Sequence, residues 1–99
     1  MAGRLIWSPR SLADLDEIAA YIGTDAPLYA RKVVSRFEVR ARGLPDMPGQ
    51  GRRVPEYEGP EEIREVFVHR WRMIYRVRGD TVDIVTLVHG ARLMEEVPL

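Results

Sequence analysis

The chain has 99 residues, 45% hydrophobic and 30% charged, with fifteen basic side chains against fifteen acidic ones and no cysteine. Such a length and composition describe one domain with a single modest core, too apolar for a disordered chain and lacking any run near the roughly 18 apolar residues of a membrane helix. Disulfide and thiol chemistry are excluded, the balanced charge names no polyanion partner, and the opening MAGRLIWSPR lacks the apolar stretch of a secretory leader, so a cytoplasmic protein is expected.

Charge is unevenly spread. Residues 31–78 carry twelve basic and seven acidic side chains, whereas the first 30 carry Asp14, Asp16, Glu17 and Asp25 against Arg4 and Arg10. One basic side is therefore expected. Fourteen of the fifteen basic residues are arginine, the side chain suited to bidentate contacts with carboxylate or phosphate.

In chain order, RLIW at 4–7 predicts a short strand stopped by Ser8-Pro9. Ser8 is placed to cap a helix and Pro9 to occupy its first position. Leu12, Leu15, Ile18, Ala19 and Ile22 then recur at helical spacing, and Gly23 ends the run. A second start follows, with Asp25 as the expected cap and Pro27 just inside. Its apolar stripe is Ala30, Val33, Val34, Phe37, Ala41 and Leu44, with Arg31, Lys32, Arg36, Arg40 and Arg42 off the stripe. The short link makes the two helices an antiparallel hairpin.

Residues 45–62 hold four prolines and three glycines, which predicts a loop with a short strand around 53–54. A loop this long in a compact domain is often functional, and neither side of it could fold alone, so residues 1–99 form one domain. Three strand-like runs follow, IREVFV (63–68), WRMIYRV (71–77) and VDIVTLVH (82–89), joined by His69-Arg70 and by Arg78-Gly79-Asp80-Thr81. Their short connections predict an antiparallel meander, with the last run central because it is apolar on both faces. The expected fold is α+β: an N-terminal strand, a helical hairpin, then a meander forming one small sheet packed on the helices.

The residues exclude much chemistry. His69 and His89 stand alone without metal-ligand spacing, the serines sit where capping or solvation explains them, and no phosphate-cradling or dinucleotide glycine motif occurs, so neither metal nor cofactor is expected. What stands out is arginine on strands. Arg72, Arg76 and Arg78 project to one face of their strand, and Trp71, Met73, Tyr75 and Val77 to the other, on which the helices are expected to pack. The arginine face then looks outward or into a groove, where it could hold phosphates, stabilise charge in phosphodiester cleavage or grip acidic side chains. The alternative is pairing within the sheet to Glu65, Asp83 or Glu58. His89, at a strand end, is either an acid/base group or a histidine bonded to backbone.

Taken in order, WSPRSLADLDEIAAYI, the helix over 31–44, GRRVPE, IREV, WRMIYRV and VHGAR resemble the RelE/ParE superfamily of bacterial toxins, more closely its ParE or plasmid-stabilisation branch, over residues 4–94. The resemblance implies the toxin half of a type II toxin–antitoxin pair, partnered by a small antitoxin. ParE-like members poison DNA gyrase; RelE-like members cleave messenger RNA in the ribosome. On the RelE pattern, Arg72 falls on the arginine of the central strand, Arg92 on that after the last strand, and Arg64 near the lysine-bearing strand, with His89 or Tyr57 left to move protons. The C-terminal tyrosine of that pattern has no counterpart in EEVPL, and a neutral chain is poorly suited to ribosomal RNA. Both departures favour ParE-like gyrase inhibition, or a toxin that has lost activity, with no sequence-specific nucleic-acid binding by the toxin itself. Arg31, Arg36, Arg40, Arg72 and Arg76 are the expected partner-binding residues, the hairpin and the sheet edge being the surfaces an antitoxin would cover.

Overall fold

The computed structural model describes residues 3–99. Strand β1 (Arg4–Trp7) leads into helices α1 (Pro9–Gly23) and α2 (Pro27–Arg42). A 3-10 turn at Pro48–Gln50 and strand β2 (Arg52–Arg53) interrupt the long loop, and β3 (Glu62–Val68), β4 (Trp71–Arg78) and β5 (Thr81–His89) form the meander. The sheet order is β1-β5-β4-β3-β2. All neighbours are antiparallel except β1, which runs parallel to β5 with Arg4 opposite Thr81. The helical hairpin is thus the crossover between the two parallel strands.

The start of α1 forms as its sequence dictates. Ser8 Oγ accepts from Ser11 N–H at 3.0 Å, and Pro9 follows in the first turn. The start of α2 differs from expectation. Asp25 does not cap it; the N-cap is Ala26, which makes no side-chain bond. Asp25 lies in the turn that follows α1, its N–H donating to Ile22 O, and Pro27 keeps the residue before it, Ala26, out of the helical region, at φ −144° and ψ 73°.

Val33, Phe37 and Ala41 of the second helix, Leu44 just past its end at Arg42, and Leu15 and Ile18 of the first pack onto Met73, Tyr75, Val82, Ile84 and Leu87 of the sheet. The alternation in β4 therefore sends its aromatic face to the helices, as its pattern predicts. A β-bulge in β5 makes the same fit possible there. Ile74 pairs with Thr86 and Tyr75 with Ile84, leaving Val85 as the extra residue. The bulge resets the parity of the strand, so that Ile84 and Leu87 both face the helices while Val85 faces the other way. Helix α1 satisfies the groups the bulge releases: Ser8 Oγ donates to Val85 O, and Asp14 accepts from Thr86 Oγ1 and Leu87 N–H.

The far face of the sheet is not open. The loop and the C-terminal tail fold over it, and Val54, Ile63, Ile74, Val85 and Val97 make a second small core there. Tyr75 joins loop to sheet. Its hydroxyl donates to Pro48 O at 2.6 Å and accepts from Gly51 N–H at 3.0 Å, and a Cβ on Gly51 would lie 2.6 Å from both that hydroxyl and Glu65 O. Only glycine permits so close an approach. Tyr75→Phe leaves both groups without this partner in a buried site; the expected loss is about 1–2 kcal/mol of stability, read from the urea midpoint.

Candidate functional site: the arginines of the sheet and the groove at its end

Arg72 points to the far face, as the strand period requires, but it does not look outward. It is 3% exposed. Its Nε donates to Glu65 Oε1 at 2.6 Å, and its two terminal nitrogens donate to the two oxygens of Glu56, each at 2.6 Å. A fourth bond runs from Nη1 to the carbonyl of Arg92 at 3.2 Å. Glu65, 1% exposed, also accepts from Arg52 Nε, and Glu56 accepts from Met94 N–H. Glu65 stands opposite Ile74, so its bond to Arg72 is the diagonal one across β3 and β4. The loop, rather than a strand, brings Glu56 over the guanidinium.

The same neutralisation extends along β4. Arg76 lies directly opposite Asp83 and bonds it at 3.0 Å, with Glu61 at 3.4 Å; Arg78 reaches the same carboxylate diagonally at 2.6 Å. Arg64 is held by Glu62 and by Gly51 O, each at 2.8 Å. Of the three carboxylates the sequence offers for such pairing, Glu65 and Asp83 take part. Glu58 makes no ion pair among the described residues, and Glu56 stands in its place.

These contacts set the charge states. The Arg72 guanidinium holds the Glu56 carboxyl down from 4.5 to about 2, against the opposing effect of burial. Arg78, then Arg76, lower Asp83 in the same direction. Arg72 in turn is raised by its bonds to Glu56. Burial pushes the Tyr75 phenol up, which keeps it a neutral hydrogen-bonding group.

The other expected residues lie elsewhere. Arg31 and Arg36 are exposed on α2 and Arg40 is half-buried there; Arg36 meets His69 Nε2 at 3.0 Å and Arg40 bonds Gln50. His89, at the end of β5, accepts from Ala91 N–H through Nδ1 and stands edge-on to Trp71. The His89 and Arg92 side chains are exposed and line one groove with Arg10. Tyr57 is occupied in the loop, its hydroxyl accepting from Glu61 N–H. Arg72 is thus engaged on the far face and Arg64, opposite Tyr75, on the helix-facing side, while Arg92 and His89 sit at the end of the sheet. Among the described residues no three His, Asp or Glu side chains gather as a metal site would need.

Sequence reasoning passed over two features. Glu56 and Glu58 are two residues apart in a loop without periodicity, so nothing separates them. By sequence His69 is a turn residue and Trp71 core or groove lining; with Tyr21 and Tyr29 they line a concavity between the helices and the β3–β4 turn. The placing of Trp71 on the helix-facing side of β4 was the available signal.

A helical hairpin over a mixed five-stranded sheet whose far face is closed by paired charges defines a small α+β protein. A solved structure, Chromosomal ParDE TA system from P. aeruginosa, shares the fold with a TM-score of 0.74 at 24% identity, over 89% of this chain and 96% of that one. The family model for the ParE toxin of the type II toxin–antitoxin system, parDE, matches residues 5–94. The chain belongs to that family and is the toxin of such a system. It is also similar to Toxin RelE2 of Caulobacter vibrioides, 35% identical over 91 residues, covering 91% of this chain and 98% of the relative.

Removing Arg72 leaves buried charge uncompensated. Arg72→Ala is expected to cost about 3–5 kcal/mol in urea unfolding, and Arg78→Ala, whose guanidinium lies in solvent, far less. Because folding depresses the Glu56 pKa, its contribution is complete above about pH 4.5 and is lost as pH falls toward 2. Stability should drop by about 1–3 kcal/mol across that window, and Glu56→Gln should flatten the drop.

Proposed function

We infer that this toxin acts by holding a protein target, DNA gyrase, rather than by cutting RNA, and that a cognate antitoxin neutralises it in the cytoplasm. The observation that carries this reading is the closed state of Arg72. A phosphate-stabilising arginine must present donors to the reacting phosphate, and here Nε and both terminal nitrogens are spent on Glu56 and Glu65. Arg64 is likewise tied, to Glu62 and a backbone carbonyl. The zero net charge gives little attraction to ribosomal phosphates.

The antitoxin is expected on the cations of α2, Arg31, Arg36 and Arg40, and along an edge of the sheet, where β1 and β2 are the outer strands. Arg72 and Arg76 serve such a partner by shaping the loop and sheet that carry it, since both are held by carboxylates of this chain. No helix of the described residues is long and apolar enough to cross a membrane.

The second reading is ribosome-dependent cleavage of messenger RNA. Its specific support is that His89 and Arg92 line the same groove as Arg10, and that one relative carries the name RelE2. In it His89 would move the proton and Arg92 would face the phosphate, with no help from Arg72.

Plasmid supercoiling by purified gyrase separates the two. Added free of antitoxin, the folded toxin is expected to inhibit supercoiling and trap cleaved DNA. Undiminished gyrase activity, together with ribosome-dependent RNA cleavage abolished by His89→Ala or Arg92→Ala, would transfer the assignment to the nuclease.

A further inference from the structure

Strand β3 runs for seven residues, but β2 pairs with it only opposite Arg64 and Glu65. Its last three residues, Val66, Phe67 and Val68, face β4 on one side and have no strand on the other. An uncovered edge of this kind offers main-chain donors and acceptors to an extended segment that reaches it. The side chain exposed there is apolar: Phe67 is 51% exposed, with the Arg52 guanidinium 5.3 Å from its ring.

Helix α2 passes beside this edge and leaves a groove of about 380 Å³ between them. Arg36, Val39 and Arg40 line it from the helix, and Phe67, Val68 and His69 from the strand and its turn. Val39, 59% exposed, adds a second apolar side chain in water. The lining contains two arginines and no carboxylate. Neither arginine is neutralised by its contact, since Arg36 meets His69 Nε2 and Arg40 bonds Gln50. The helix as a whole carries Arg31, Lys32, Arg36, Arg40 and Arg42 against Glu38, and among the described residues none of these cations holds a carboxylate. Glu38 lies outside the lining, and Glu65 of β3 is buried with both oxygens spent on Arg72 and Arg52.

We propose that this edge and groove seat an extended acidic segment of a protein partner, which adds a strand outside Val66–Val68, places one apolar side chain between Val39 and Phe67, and turns alternate carboxylates toward Arg36 and Arg40. Main-chain pairing supplies affinity in such strand addition, and the side chains that alternate toward the groove supply selectivity. The spacing suits it. One helical turn, about 6 Å, separates Arg36 from Arg40 along the axis, close to the roughly 6.6 Å between alternate residues of a strand. A second copy of this chain is a poorer occupant, because joining two such edges brings the α2 cations of both copies to the same side of one sheet. A nucleic-acid strand cannot complete a main-chain ladder and offers Val39 no apolar partner. The inference rests on the reading that a partner protein covers the α2 cations; it names the edge that partner pairs with and the form and charge of the segment, and it does not depend on gyrase being the target.

The test begins with a designed probe. Isotope-labelled toxin is titrated with acetyl-Thr-Val-Thr-Glu-Thr-Glu-Thr-amide, and amide resonances and hydrogen exchange are followed. Saturable shifts are expected at Arg36, Val39 and Val66–Val68, with slower exchange of the Phe67 amide. Affinity should fall about tenfold when the protein carries Arg36→Glu, and that variant should prefer the peptide with lysine in place of glutamate. Position 36 is exposed, so the fold should be kept, which the spectrum of the variant reports directly. Absence of shifts, shifts confined to other surfaces, equal affinity of the unaltered toxin for the lysine peptide, or concentration-dependent shifts of the same residues in the toxin alone would each overturn the proposal. Neutralisation of growth arrest by the cognate antitoxin tests the wider reading separately: an antitoxin that neutralises without slowing exchange at Phe67 overturns this edge and leaves that reading standing.

Discussion

One guanidinium organises half of this molecule. Arg72 lies on the central strand, yet its four bonds reach β3 through Glu65, the long loop through Glu56, and the tail through the carbonyl of Arg92. Glu56 adds the amide of Met94 to the same node. Beside this node, Val54 and Val97 seat the loop and tail over Ile63, Ile74 and Val85, and the Tyr75 hydroxyl ties the loop at Pro48 and Gly51. A buried ion cluster of this kind costs several kcal/mol of desolvation per charge and repays it only when every donor and acceptor is matched. That condition is met here: among the described residues no buried side-chain nitrogen or oxygen is without a partner. The specificity of the arrangement follows from the same fact, since a slipped loop would strand Glu65 in the interior.

The consequence for function is a sorting of charge. The strands are rich in arginine, but their carboxylates cancel it on the far face, and the unpaired cations lie on the helical side and at the end of the sheet. A chain of zero net charge can in this way present a basic surface to one partner while keeping its arginine-rich sheet as scaffold.

Much of this was legible beforehand. Ser8-Pro9 announced α1, the stripe from Ala30 to Leu44 gave the buried face of α2, and the alternation around Trp71 and Tyr75 put the aromatic side of β4 on the helices. The parallel pairing of β1 with β5 was hidden, because four residues carry no register and their partner lies over seventy positions away. The bulge at Val85 was hidden too: a strand apolar on both faces reads the same with or without an extra residue. Asp25 failed as a cap because the preceding helix consumed it. The fate of Arg72 was left open for a physical reason. Pairing with Glu65 could be read from strand spacing, but burial by Glu56 depends on a loop whose path no periodicity encodes.

The central claim is that Arg72 is a clamp within the fold and does not itself meet a target. The most direct measurement compares Arg72→Met alone with Arg72→Met combined with Glu65→Gln and Glu56→Gln, reading both the melting curve and growth arrest on expression. The single substitution strands two carboxylates; the triple one removes the charges together. The account predicts that the triple variant regains most of the lost stability and arrests growth like the unaltered toxin. A triple variant that is folded and stable but harmless would contradict it, and would place Arg72 in the machinery that touches the target.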